Sequence, residues 1–191
     1  MKQLRFEEKD KLTDILKAVQ DTTEEEVEVI FVGSGLDQAT LDKRVITTTA
    51  EKLGKKRSLL ILSSLGLDEI WFALLGILTR IELRNRKLEE KRWFWFLKEN
   101  PEFVSTLAGE LEKKTTFLLE IPFLFLIEIS HESTLKSLNI MKQYGLLPRD
   151  AIHATAAMVS GVDTIITTDE DFSRVDKLTI YTCNPKSLHY H

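Results

Sequence analysis

One cysteine, Cys183, is all the sulfhydryl chemistry that 191 residues contain. A single thiol excludes an internal disulfide and a multi-cysteine metal site, and it suits a reducing cytosol. Positive charge is not in excess: 26 Lys and Arg stand against 30 Asp and Glu, for a net charge of −4. With no overall basic field, any hold on RNA or DNA requires a local basic patch. Long apolar runs are missing too. The two most apolar tracts, SLLILSSLGLDEIWFALLGIL (58–78) and FLLEIPFLFLIEI (117–129), both carry acids, and the second contains a proline. Neither is an uninterrupted span of the roughly 20 residues that a membrane helix takes. MKQLRFEEKDKLTDILKAVQ, the N-terminus, is charged throughout and has no signal-peptide core. A cytoplasmic protein without a membrane span is expected. There is no internal repeat and no low-complexity run.

What is present reads as one domain with a sizeable core, since 43% of the residues are hydrophobic and 29% charged. Residues 4–20 place Leu4, Leu12, Ile15, Leu16 and Val19 on roughly one helical face, and DTTEEE follows as a polar linker. This predicts a helical N-terminal extension over residues 1–25 and a main domain over 26–191. Within that domain VEVIFV (27–32), SLLILSS (58–64), FLFLIEIS (123–130), VDTIITT (162–168) and LTIYT (178–182) read as strands. Helices are expected over 36–54, 67–87 and 89–100, from Asn100-Pro101-Glu102 onward, over ESTLKSLNIMKQYG and over DAIHATAAMVSG, with Gly145 and Gly161 as stop signals. Strands alternating with helices imply a parallel sheet covered on both faces. In such sheets, sites form at the carboxyl ends of strands near a change of strand order.

That rule gives the acids meaning. Asp169, with Asp171 close behind, follows strand 162–168. Asp68 and Glu69 follow strand 58–64 at the opening of a helix. Asp150 opens the helix before strand 162–168. Carboxylates from three places converging on one edge repel one another and raise each other's pKa, a penalty that a divalent cation reverses. All-oxygen ligation favours Mg²⁺ or Mn²⁺ over zinc, and such a site suits phosphodiester hydrolysis. Each acid also has an ordinary structural reading. Asp150 can cap a helix, Asp169 and Asp171 can form an Asx turn, and Asp68 and Glu69 can complement a helix dipole.

The segment YGLLPRDAIHATAAMVSGVDTIITTDEDFSRVDKLTIY resembles the C-terminal half of a PIN domain, the fold of the VapC ribonuclease toxins. LILSSLGLDEIWFAL resembles the second motif of that family, in which a serine ends a strand and an acid follows six positions on, as Glu69 follows Ser63. The resemblance implies a three-layer α/β PIN-like fold, its mostly parallel central sheet flanked by helices. It also implies a metal-dependent endoribonuclease with Glu69, Asp150 and Asp169 as catalytic metal ligands for Mg²⁺ or Mn²⁺ and Asp171 as an accessory ligand. Thr168 would orient the turn, and His153, one helical turn past Asp150, would face the site. RNA as substrate, a small cognate antitoxin and a homodimer are the partners it implies.

One departure stands out. The family's first strand usually ends in an aspartate that completes the cluster. Here VEVIFV ends in Gly33-Ser34-Gly35, and the nearest acid is Asp37, four residues on. A helix rises about 6 Å over that interval, so Asp37 substitutes only through a rearranged loop. Gly33 therefore motivates a second expectation, a PIN scaffold with weakened catalysis that serves as a binding or assembly module. A nuclease acting on DNA is a third. Finally, RNRKLEEKRWFWF (84–96) mixes basic residues with Trp93 and Trp95. Its plain reading is an amphipathic helix with aromatics in the core or at a dimer interface; the alternative is phosphate contact and base stacking on RNA.

Overall fold

The computed structural model describes residues 28–33, 58–121 and 124–181. The helices expected at 4–20 and 36–54, the N-terminal extension, Asp37 and Cys183 lie outside the described residues.

The described chain runs β1 (Glu28–Val32), β2 (Ser58–Ser63), α1 (Ser64–Asn85), a 3-10 turn (Glu90–Arg92), α2 (Trp93–Glu99), α3 (Pro101–Leu119), β3 (Leu124–Ile127), α4 (His131–Tyr144), α5 (Pro148–Val159), β4 (Thr164–Ile166), a second 3-10 turn (Glu170–Arg174) and β5 (Thr179–Tyr181). The five strands form one sheet in the order β3-β2-β1-β4-β5. Every pairing is parallel, with Ile30 opposite Leu60, Phe31 opposite both Ile61 and Ile165, and Ile61 opposite Phe125. β1 is central. The chain builds outward from it through β2 to β3, then resumes on its other side with β4, so the order changes at β1.

Alternation along the strands separates two cores, because successive side chains point to opposite faces. Ile61 and Ile165 join Ala151, Ala154, Ala157, Phe172 and Val175 on the face covered by α4 and α5. Leu60 and Leu62 face the other way, with Leu67 of α1 and Leu118 of α3 packed beside them. Helices thus cover both faces, as the alternating pattern predicts. The alanine-rich face of α5 permits a close approach to the sheet, and Ala151, Ala154 and Ala157 are fully buried.

Boundaries show local chemistry overriding pattern. Strand 162–168 contracts to Thr164–Ile166, and the expected helix 89–100 divides into a 3-10 turn and α2. Asn100 does occupy the cap of α3, with Pro101 at its first position, but makes no side-chain cap. Its amide donates instead to the Phe96 carbonyl, 2.8 Å away. Gly145 closes α4 in the left-handed region at φ 67°, as its position predicts. Nearby, the Tyr144 hydroxyl donates to Asp176 at 2.5 Å, tying α4 to the loop before β5. That carboxylate holds the phenol above its ordinary pKa.

The end of α1 is less usual. Lys87 N–H bonds the Arg84 carbonyl and Leu88 N–H the Leu83 carbonyl, the two crossed bonds of a Schellman closure. Lys87 itself sits at φ 57°, a position that glycine normally fills. Replacing it should relieve left-handed strain. Lys87→Gly is expected to raise unfolding free energy by about 1 kcal/mol, measured as a higher midpoint in urea at unchanged slope.

Candidate functional site

At the carboxyl edge of the sheet, α1 and α5 begin side by side. Ser63 ends β2, is fully buried and caps α1 by accepting from the Gly66 amide at 3.0 Å. Because the helix already starts at Ser64, Asp68 and Glu69 lie in its second turn, and the first turn holds no acid. The dipole reading of these two residues therefore gives way to one based on their neighbours. Glu69 has a side chain 20% exposed and turns its Oε2 toward Nε2 of His153, 3.3 Å away. His153 is fully buried on α5.

Asp150 is the third residue of α5. It does not cap the helix, because Leu147 occupies that position and makes no side-chain cap, while Pro148 takes the first turn. The capping reading is therefore corrected. Asp150 is a first-turn acid, 8% exposed, next to the favourable end of the helix dipole.

Asp169 leads out of β4. Its amide donates to Thr167 Oγ1 at 3.1 Å, and its Oδ1 accepts from the Asp171 amide at 2.9 Å. This is the Asx turn foreseen as the ordinary reading, and it caps the 3-10 turn. The hydroxyl on the Asp169 amide belongs to Thr167, which is buried, and the neighbouring Thr168 is half-buried. Asp171 forms a 2.7 Å ion pair with Arg174.

Arg149 is the residue that sequence reading missed. Its guanidinium lies 3.8 Å from Asp68 and 3.9 Å from Glu69. The signal was its place four residues before His153, on the same side of α5. At 59% exposure these are loose surface pairs, each worth at most about 1 kcal/mol.

The edge thus gathers Glu69, Arg149 and His153 through direct contact, with Asp150 on the same turn of α5 as Arg149. Asp169 stands beyond the end of β4, two strands from β2, which is about 10 Å at ordinary strand spacing. Among the described residues, no group of three or more His, Cys, Asp or Glu stands close enough to hold a metal ion. In kind, though, the donors fit: Glu69, Asp150 and Asp169 are hard oxygen ligands suited to Mg²⁺ or Mn²⁺.

Between β2 and β4 lies Gly33. Its amide donates to the Ile166 carbonyl at 2.9 Å. A Cβ built on Gly33 would meet Ile165 Cδ1 at 2.7 Å and Cγ1 at 2.9 Å. Ile165 is fully buried, so the core fills the space that a side chain here would need.

Comparison with known proteins fits this architecture. The family model for the PIN domain matches residues 39–178, more than half of the chain. This chain belongs to the PIN domain family. The matched stretch contains Glu69, Asp150 and Asp169 and begins after Gly33, so the atypical first motif lies outside it. A chain of the crystal structure of VapBC2 from Rickettsia felis bound to a DNA fragment from their promoter superposes with a TM-score of 0.50 at 17% identity, covering 81% of this chain and 98% of that one. That likeness concerns the PIN fold. No curated protein matches the sequence. Among the described residues, no helix is long and apolar enough to cross a membrane.

The Gly33 packing generates a double-mutant test. Gly33→Ala is expected to cost about 1–3 kcal/mol by overpacking. Ile165→Val removes Cδ1 and should recover part of that cost, so denaturation midpoints of the two single variants and the double variant should be non-additive.

Proposed function

We propose that this PIN domain protein is an endoribonuclease that works with a divalent cation, Mg²⁺ or Mn²⁺, held by Glu69, Asp150 and Asp169. The observation that carries the reading is the 3.3 Å approach of Glu69 and His153. It brings the starts of α1 and α5, and with them Glu69 and Asp150, to the edge where β4 delivers Asp169. A cation bound there supplies Lewis-acid activation of water and neutralises phosphate charge. The chain's own groups do the rest. His153 fixes Glu69 against α5 from a buried position. Asp169 is oriented by the Thr167 hydroxyl and the Asp171 amide. Arg149, 59% exposed and only loosely paired with Asp68 and Glu69, is a guanidinium suited to a substrate phosphate. Asp171 is an accessory group, committed to Arg174 unless that pair opens. A small antitoxin and a homodimer are the partners that the family resemblance implies.

A second reading is favoured by Gly33. With no carboxylate there, the edge carries one negative charge fewer and holds a cation more weakly, as a binding or assembly module would. The same experiment separates the two. Structured RNA and a matched DNA are incubated with Mn²⁺, Mg²⁺ or EDTA. The nuclease reading expects cleavage of RNA with metal and none in EDTA. Glu69→Gln, Asp150→Asn and Asp169→Asn should each lower the rate at least about 10–100-fold. Activity that survives all three substitutions places the site elsewhere, while inert wild-type protein that still binds RNA supports the module. Preferential cleavage of DNA would replace the substrate assignment.

A further inference from the structure

The aromatic segment of α2 does not bury itself. Phe94 is 39% exposed and Trp95 58% exposed, and Phe72 on α1 is 47% exposed beside them. Trp93 and Phe96 are half-buried, Trp93 with its ring 3.5 Å from where a Cβ on Gly76 would stand and Phe96 against Phe103. The rings form a connected surface: Phe72 to Phe94 is 6.3 Å between centroids, and Phe94 to Trp95 is 6.0 Å. Phe72 lies three residues past Glu69 on α1, about one helical turn, or 4.5 Å of rise. The aromatic surface therefore starts beside the acidic edge and leads away from it.

Cations are interleaved with these rings. Lys98 Nζ lies 4.8 Å from the Phe94 centroid and 5.3 Å from that of Trp95, and the Arg80 guanidinium lies 5.2 Å from Trp93. From Arg80 to Lys98 the chain carries seven Lys or Arg and three Glu, a net +4 within a protein of net −4. Some of this charge is internally paired, as in Arg84–Glu90 and Arg86–Glu82. Lys87 and Lys91 are exposed and enter no ion pair among the described residues. This is the local basic patch that an acidic chain needs in order to hold nucleic acid.

We propose that Phe72, Phe94 and Trp95, with Lys98, form a docking track for single-stranded RNA that feeds the acidic edge. Charge complementarity selects the occupant. Lys98 lies over both Phe94 and Trp95, in a segment of net +4, which suits a polyanion with stackable bases better than an apolar protein surface. Unpaired bases stack on aromatic faces while their phosphates meet the cations; a duplex keeps its bases stacked internally and cannot do this. The proposal rests on the reading of the protein as one that acts on RNA, and it names how that RNA is held.

The test measures binding apart from cleavage. Fluorescein-labelled oligouridine is titrated with the full chain in EDTA, following anisotropy and the quenching of tryptophan fluorescence. Wild type is expected to bind with quenching. Trp95→Ala and Phe94→Ala should each weaken binding by about fivefold or more, with unchanged thermal unfolding, and Trp95→Phe should retain most of the affinity. Lys98→Gln should reduce the salt slope of binding by about one. No RNA binding, or affinity unchanged in both alanine variants, overturns the track. A wild-type dimer that Trp95→Ala splits without loss of RNA affinity overturns it too, and makes this face a self-association surface. The nuclease reading fails separately: Trp95-dependent binding with no cleavage in any metal keeps the track and removes the catalysis.

Discussion

A parallel sheet buried on both faces is the constraint from which the rest of this molecule follows. Ile61 and Leu62 are neighbours in sequence, and both are almost wholly inaccessible to solvent. They achieve this in two separate cores, so helices must lie above and below the strands. Parallel strands force each connection to recross the sheet, and each crossing must begin at the same edge. Helix starts and strand ends accumulate there. Backbone geometry therefore favours that edge as the place for a site before any carboxylate is considered.

Much of this was legible in the sequence, for identifiable reasons. β-branched runs at Val27–Val32 and Val162–Thr168 announced strands, Gly145 and Gly161 announced helix ends, and alternation of the two element types announced a parallel sheet. What escaped was local competition for hydrogen bonds. Asn100 had the right place for a cap, but its amide found the Phe96 carbonyl first. Asp150 looked like a cap because Pro148 precedes it, yet a proline at the first helical position moves the cap back to Leu147. The Asx turn at Asp169 was legible because it involves residues two apart. Arg149 was not, since its contact with Glu69 links helices 80 positions apart in the chain.

The acidic edge is held in a compromise. Carboxylates there repel, and the structure answers with Arg149 and His153 at Glu69, an amide at Asp169, and Arg174 at Asp171. The arginine pairs are largely exposed, whereas the contact of Glu69 with His153 is shielded from solvent. Gly33 is a firmer commitment. Its place against Ile165 is filled by core, so adding a carboxylate at this position also requires Ile165 to shift. The first strand and the fourth approach so closely that their packing and the charge of the site have become one question.

α1 has a consequence of its own. It is one unbroken helix of 22 residues, about 33 Å long at 1.5 Å per residue, and it bears Glu69 near one end, Phe72 one turn on and Arg80 two turns beyond that. If the proposed site and the proposed RNA track both hold, this rod that carries them acts as a ruler. Distance along a bound strand is then counted from where the strand is grasped, so the position of a cut would be set by length and only secondarily by the identity of the base.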